Sequence, residues 1–195
     1  MNVMNMLSLQ GKVALLTGGA GLYGRQIAEA LAEAGATVYI ASRNLDKLEA
    51  AAATFRAAGL DVRPLRLDLA DSASIRTAVD TVYGAHRKID ILVNNAVERS
   101  ALGGWDHELE AYDKSLHVNA SALFYLTNLV GKVMKKQRSG SVINIGSMMG
   151  LIGIEMDNYE GTDMNPNPSP IYFYEKGGMV NFTRWAASIL GKFNV

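Results

Sequence analysis

An α/β domain wound on both sides of a parallel sheet is the fold this chain predicts, and three observations carry that expectation. Short apolar or β-branched runs alternate with longer segments of helical period. Gly, Asn or Asp bound these segments, and a glycine-rich turn joins the first run to the first helical segment. Such alternation is the sequence form of consecutive βαβ units. A length of 195 residues, 49% of them hydrophobic and 19% charged, suits one domain, expected to span residues 1–195.

The elements follow in order. Strands are expected at residues 13–17, 37–41, 62–67, 89–94 and 141–147. Runs such as Val13-Ala14-Leu15-Leu16 lack polar alternation, as strands covered on both faces do. Helices are expected at 25–34, 46–58, 72–87, 113–137 and 171–190; in the first, Ile27, Leu31 and Ala34 share one apolar face. Between residues 150 and 170, Asn158, Gly161, Asn165, Pro166, Asn167, Pro168 and Pro170 break all periodicity. So long an irregular stretch inside a compact domain reads as a flap over a site. Residues 193–195 are expected to begin a further strand.

Composition removes several classes of function. Lys and Arg number 19 and so do Asp and Glu, giving a net charge of zero and no basic stripe for nucleic acid. The absence of cysteine removes disulfides, thiolate metal sites and cysteine nucleophiles, and fits a reducing cytoplasm. Nowhere do the ~18 consecutive apolar residues of a membrane span occur. His86, His107 and His117 lack the spacing of metal ligands, so no metal is expected.

The glycine turn reads Thr17-Gly18-Gly19-Ala20-Gly21-Leu22-Tyr23-Gly24, with a strand before it and a helix after it. In that context the turn admits a pyrophosphate to the N–H groups at the helix start, as in a Rossmann-type dinucleotide site. Gly18, Gly21, Leu22, Tyr23 and Gly24 are its candidate contacts. The second strand ends in Ser42-Arg43, without the carboxylate that would bind a ribose 2′-hydroxyl. Arg43 suits a 2′-phosphate, so NADP is expected ahead of NAD. Asp68, followed by Leu69, either touches the adenine edge or caps a turn.

Together with this turn, Asn94-Asn95-Ala96, Val118-Asn119-Ala120, Gly146-Ser147 and Tyr172-Phe173-Tyr174-Glu175-Lys176 occur in an order that resembles the short-chain dehydrogenase/reductase family along essentially the whole chain. Tyr172 and Lys176 lie four apart, one helical turn along a common face. A free tyrosine ionises near pH ~10, and an ammonium beside a phenol favours the phenolate, so this pair suits proton exchange with a substrate oxygen. Ser147 would hydrogen-bond that oxygen. The resemblance implies that Lys176 also holds the nicotinamide ribose, that Asn119 keeps a water linking Lys176 to solvent, and that Asn95 and Ala96 line the cofactor. It implies a secondary alcohol or ketone as substrate. It also implies a homodimer or homotetramer paired through the helices at 113–137 and 171–190.

Four departures from the family pattern stand out. Gly18, Gly21 and Gly24 have the spacing of the family's extended branch, with Leu22 where compact members carry the middle glycine. Val97 follows Asn94-Asn95-Ala96 where glycine is usual. Ser147 and Tyr172 stand 25 residues apart, roughly twice the compact-branch gap. Within that surplus Asp157, Glu160 and Asp163 are candidate contacts for a sugar-like substrate, and Met148, Met149, Met156 and Met164 cluster near the site. Finally, the resemblance implies a strand, a Pro-Gly turn, a substrate-covering helix and a closing strand beyond Val195, so the C-terminal strands are expected to be missing. The alternatives are a truncated dinucleotide-binding module without turnover and a nucleotide-sugar epimerase or dehydratase.

Overall fold

The computed structural model describes residues 3–101, 104–163 and 169–195; Met164, Asn165, Pro166, Asn167 and Pro168 lie outside the described residues. After a short helix α1 (Val3–Met6) come β1 (Val13–Thr17), α2 (Leu22–Glu33), β2 (Thr37–Ser42), α3 (Leu45–Ala57), β3 (Val62–Arg66), α4 (Ser72–His86) and β4 (Ile91–Asn94). Then follow α5 (Leu109–Leu116), α6 (Leu123–Gln137), β5 (Ser141–Asn144) and α7 (Pro170–Leu190). The strands form one sheet in the order β3-β2-β1-β4-β5 with every neighbouring pair parallel. Chain order therefore reverses direction between β1 and β4, which opens a crevice at the C-terminal strand ends.

Alternation along β1 explains the two layers. Val13 and Leu15 join α4 and α6 through Ile75, Val79, Leu126 and Met134 on one face. Ala14 and Leu16 join α2 and α3 through Ala28, Leu48, Ala52 and Phe55 on the other. Asp90 ties the base of the sheet together. Its buried carboxylate accepts the Val13 N–H at 2.9 Å and lies 3.4 and 3.3 Å from the ammonium groups of Lys12 and Lys88.

Several boundaries differ from expectation. The first helix begins at Leu22 rather than residue 25, and its buried stripe is Gly24, Ala28 and Ala32. Ile27 and Leu31 are only partly buried, because small residues let the helix lie close to the sheet. The helix expected at 113–137 starts at Leu109 and is broken by a π-helical turn, His117–Ala122. The fourth and fifth strands are shorter than expected, at Ile91–Asn94 and Ser141–Asn144. Residues 193–195 do not begin a strand: Gly191–Phe193 is a 3-10 turn, and Asn194 is left-handed with φ 61°, which breaks an extended run. Val195 instead packs on the core face shared by α4 and α6.

Replacing Asp90 by Ala leaves the buried Val13 N–H without its partner, and urea unfolding should show a loss of about 1–3 kcal/mol.

Candidate active site

The crevice at the β1–β4 reversal is a cleft of about 560 Å3. Its lining includes Gly18, Gly21, Leu22, Tyr23, Gly24, Ser42, Arg43, Asp68, Leu69, Asn95 and Ala96, so all the cofactor contacts expected from the glycine turn, the second and third strand tips and the Asn-Asn-Ala run converge here. Gly21 precedes α2 without any side-chain cap, leaving the helix start open to an anion. A Cβ on Gly24 would run into the Gly18 carbonyl, so only glycine lets the turn fold this tightly over the helix start. This cradle fits a dinucleotide pyrophosphate. Asn95 braces it from across the sheet: its Nδ2 donates to the carbonyls of Thr17 (3.0 Å) and Gly18 (3.3 Å), while Thr17 Oγ1 accepts the N–H groups of Asn95 and Ala96, each at 3.0 Å.

Of the two roles the sequence left open for Asp68, the turn cap is the one seen. Its Oδ1 accepts the Ala70 N–H at 2.9 Å, capping a turn, and the residue still lines the cleft. Arg43 and Glu98 form a 3.9 Å ion pair, and both line the cleft. Lys47, Glu98 and Arg99 are further charged linings that sequence reasoning missed. They carry no motif of their own and matter only through the tertiary fold.

Tyr172 and Lys176 share a face of α7, with the ammonium 5.7 Å from the centre of the phenol ring. Lys176 is buried and its Nζ donates to the Ile145 carbonyl, just past the end of β5, at 2.6 Å. Two residues on, Ser147 Oγ accepts the Met149 N–H at 3.2 Å and caps a 3-10 turn, Met148–Gly150. Gly150 rests on the Lys176 backbone so closely that a Cβ there would stand 2.6 Å from the Lys176 carbonyl carbon. The turn carrying Ser147 is thereby seated on the turn of α7 that carries Lys176.

Asn119 sits in the π-helical turn, and its amide is fully committed. Oδ1 accepts the Glu98 N–H at 2.7 Å, and Nδ2 donates to the Glu98 carbonyl (3.0 Å), Ser115 Oγ (3.1 Å) and Glu175 Oε2 (2.8 Å). Glu175, a further residue that sequence reasoning missed, is buried and accepts Ser115 Oγ–H at 2.7 Å. A carboxylate directly before the lysine was the available signal. Burial pushes the Glu175 carboxyl above its ordinary 4.5, opposed by the hydrogen bonds from Ser115 and Asn119 and by the Lys176 charge. Burial pushes the Lys176 ammonium below its ordinary 10.5, opposed by Glu175.

The sequence profile described as short chain dehydrogenase matches residues 12–162. The chain belongs to that family. The 3-oxoacyl-(acyl-carrier-protein) reductase FabG of Thermotoga maritima is 34% identical over 193 residues, which cover 95% of this chain and 71% of that protein. An NAD+-bound xylitol dehydrogenase superposes with a TM-score of 0.84 at 29% identity, covering 95% of this chain and 67% of the other. A gluconate 5-dehydrogenase of Burkholderia cenocepacia, in complex with NADP and tartrate, superposes with a TM-score of 0.84 at 27% identity, covering 99% of this chain and 71% of the other. Like its relatives, this member of the short chain dehydrogenase family is an NAD(P)-dependent oxidoreductase acting on CH–OH groups. Among the described residues no helix is long and apolar enough to cross a membrane, and no group of three or more His, Asp or Glu is placed to hold a metal ion.

Glu175 makes stability depend on pH with a definite sign. Its folded value lies above the unfolded 4.5, so the folded chain binds the extra proton and stability falls as pH rises from 4.5 through the folded value. Thermal melts from about pH 4 to about pH 8 should show wild type losing Tm relative to Glu175→Gln as pH rises. A gap between the two that stays constant with pH would contradict this assignment.

Proposed function

We propose that the chain interconverts a secondary alcohol and a ketone, with NADP(H) preferred over NAD(H). The observation that carries this reading is the Tyr172–Lys176 pair on α7, with Lys176 fastened to the strand end from which Ser147 follows. Bound in the cleft, the nicotinamide supplies or accepts the hydride. Tyr172 exchanges a proton with the substrate oxygen as general acid or base. Ser147 hydrogen-bonds the same oxygen and steadies the charge that develops there. The Lys176 ammonium attracts negative charge on the phenol oxygen and holds the nicotinamide ribose. Asn119, whose side chain bridges Glu98, Ser115 and Glu175, keeps the relay water that links Lys176 to solvent. Preference for NADP rests on Arg43, which lines the cleft at the tip of β2 beside Ser42, where β2 itself supplies no carboxylate for a 2′-hydroxyl.

The described part of the irregular stretch, residues 150–163, acts as a flap on the substrate side. Exposed Asp157, Glu160 and Asp163 favour a polyhydroxylated or sugar-derived substrate, in keeping with the xylitol and gluconate dehydrogenases among its structural relatives. Leu151, Ile152 and Met156 on the same segment, and Met148 just before it, expose apolar surface, which suits the carbon skeleton of such a molecule. The chain works in the cytoplasm, a reading supported by the absence of cysteine.

Self-association into a dimer or tetramer belongs to the same reading. Phe124 on α6 and Trp185 on α7 are exposed, and Phe182 lies between them at ring separations of 6.0 and 6.1 Å. Beside them runs a groove of about 590 Å3 lined by Leu123, Phe173 and Met179. An apolar surface of this kind marks an interface.

Two experiments test these statements. Tyr172→Phe should cut turnover on a panel of ketones and sugar-derived carbonyls by ~10²-fold or more, with cofactor affinity retained; turnover at the wild-type rate would rule Tyr172 out. Trp185→Glu should lower the mass seen by light scattering, because a charge at an apolar interface opposes association. An unchanged mass would exclude the α6–α7 face as the contact.

A further inference from the structure

We propose that Glu98 is a specificity-determining residue for the dinucleotide, acting as a brake on 2′-phosphate binding through its ion pair with Arg43. This inference rests on the reading of Arg43 as the phosphate contact.

Glu98 is held on every side but one. Asn119 takes both its backbone groups, the N–H at 2.7 Å and the carbonyl at 3.0 Å. Its own Oε1 accepts the N–H groups of Arg99 and Ser100, each at 3.0 Å. Only Oε2 is turned to Arg43, 3.9 Å from Nη2. The Glu98 side chain is 13% exposed and the Arg43 side chain 66% exposed, so the acid is the fixed partner and the arginine the movable one. Arg43 and Lys47 are the cleft's cations on the β2–α3 side, Arg99 follows Glu98, and Asp68 supplies the other carboxylate.

A 2′-phosphate that recruits Arg43 must draw it from Glu98. That leaves a largely buried carboxylate uncompensated and close to a second anion, which is unfavourable on both counts. A ribose 2′-hydroxyl makes no such demand on Arg43. Discrimination is a difference between two affinities, and Glu98 acts against one of them. The preference that Arg43 creates is accordingly held small, and the chain stays open to both dinucleotides.

The test is equilibrium titration with NADPH and NADH, followed by reduced-nicotinamide fluorescence, on wild type, Glu98→Gln, Arg43→Gln and the double variant. Gln keeps an oxygen for the Arg99 and Ser100 N–H groups, and Glu98→Ala serves as a second replacement. Removing the carboxylate should shift the affinity ratio toward NADPH by roughly two- to fivefold, the scale of an exposed ion pair. Both replacements must move it the same way, and the shift must shrink in the Arg43→Gln background. A ratio that is unchanged, or that moves toward NADH, overturns the role of Glu98 while leaving Arg43 as the phosphate contact if Arg43→Gln alone weakens NADPH. A full-sized shift in the double variant overturns the ion-pair route. Unaltered NADPH binding in Arg43→Gln overturns the reading of Arg43 and this inference with it.

Discussion

The site hangs on one side-chain amide. Asn119 presents an acceptor and a donor to the Glu98 N–H and carbonyl, standing in for the strand partner that the loop after β4 lacks. The same nitrogen reaches Glu175 on α7. Three separate pieces of chain, namely the loop that lines the cleft, the π-helical turn and α7, are thereby referred to a single planar group. Asp in its place would offer no donor and Leu no polar atom. The π-helical turn is the backbone's part of this arrangement, since one extra residue in the turn resets which side chains face α7.

Much of this was legible in the sequence, for identifiable reasons. The β1 strand announces itself because both its faces are covered, so all five of its residues are buried and Val13 to Leu16 run apolar without interruption. The glycine turn is legible because tight backbone approach has one residue type that satisfies it. By contrast, the break at His117–Ala122 is invisible to periodicity, because the segments on either side are each regular and only their relative phase changes. Searching for large apolar residues also selected Ile27 and Leu31 on α2, whereas close packing on the sheet buries Gly24, Ala28 and Ala32. Glu98 and Glu175 were missed because a carboxylate acquires its meaning from distant partners. Arg43 is 55 positions from Glu98 in the chain, and Ser115 is 60 from Glu175.

Neighbouring charges of opposite sign, Glu175 and Lys176, both removed from water, mark α7. Burial disfavours each alone, and their mutual attraction with the surrounding hydrogen bonds restores only part of that. Such an arrangement is poor as a source of stability and well suited to proton movement, because small changes in surroundings alter which form is held. The buried polar cluster of Ser115, Asn119, Glu175 and Lys176 thus stands apart from the aliphatic layers on either side of the sheet, which supply the cohesion that lets it persist.

The contact of Gly150 with the backbone at Lys176 divides the stretch before α7 into two parts held with different firmness. Up to Gly150 the path is pinned, and any change in length would drag Ser147 away from Lys176. Beyond the bonds that Leu151 and Ile152 make to the Met148 carbonyl, residues 153–163 are mostly exposed, so substitutions there disturb few packed contacts. The long stretch between Ser147 and Tyr172 therefore starts from a fixed point, and a change in length past Gly150 need not move the turn that carries Ser147.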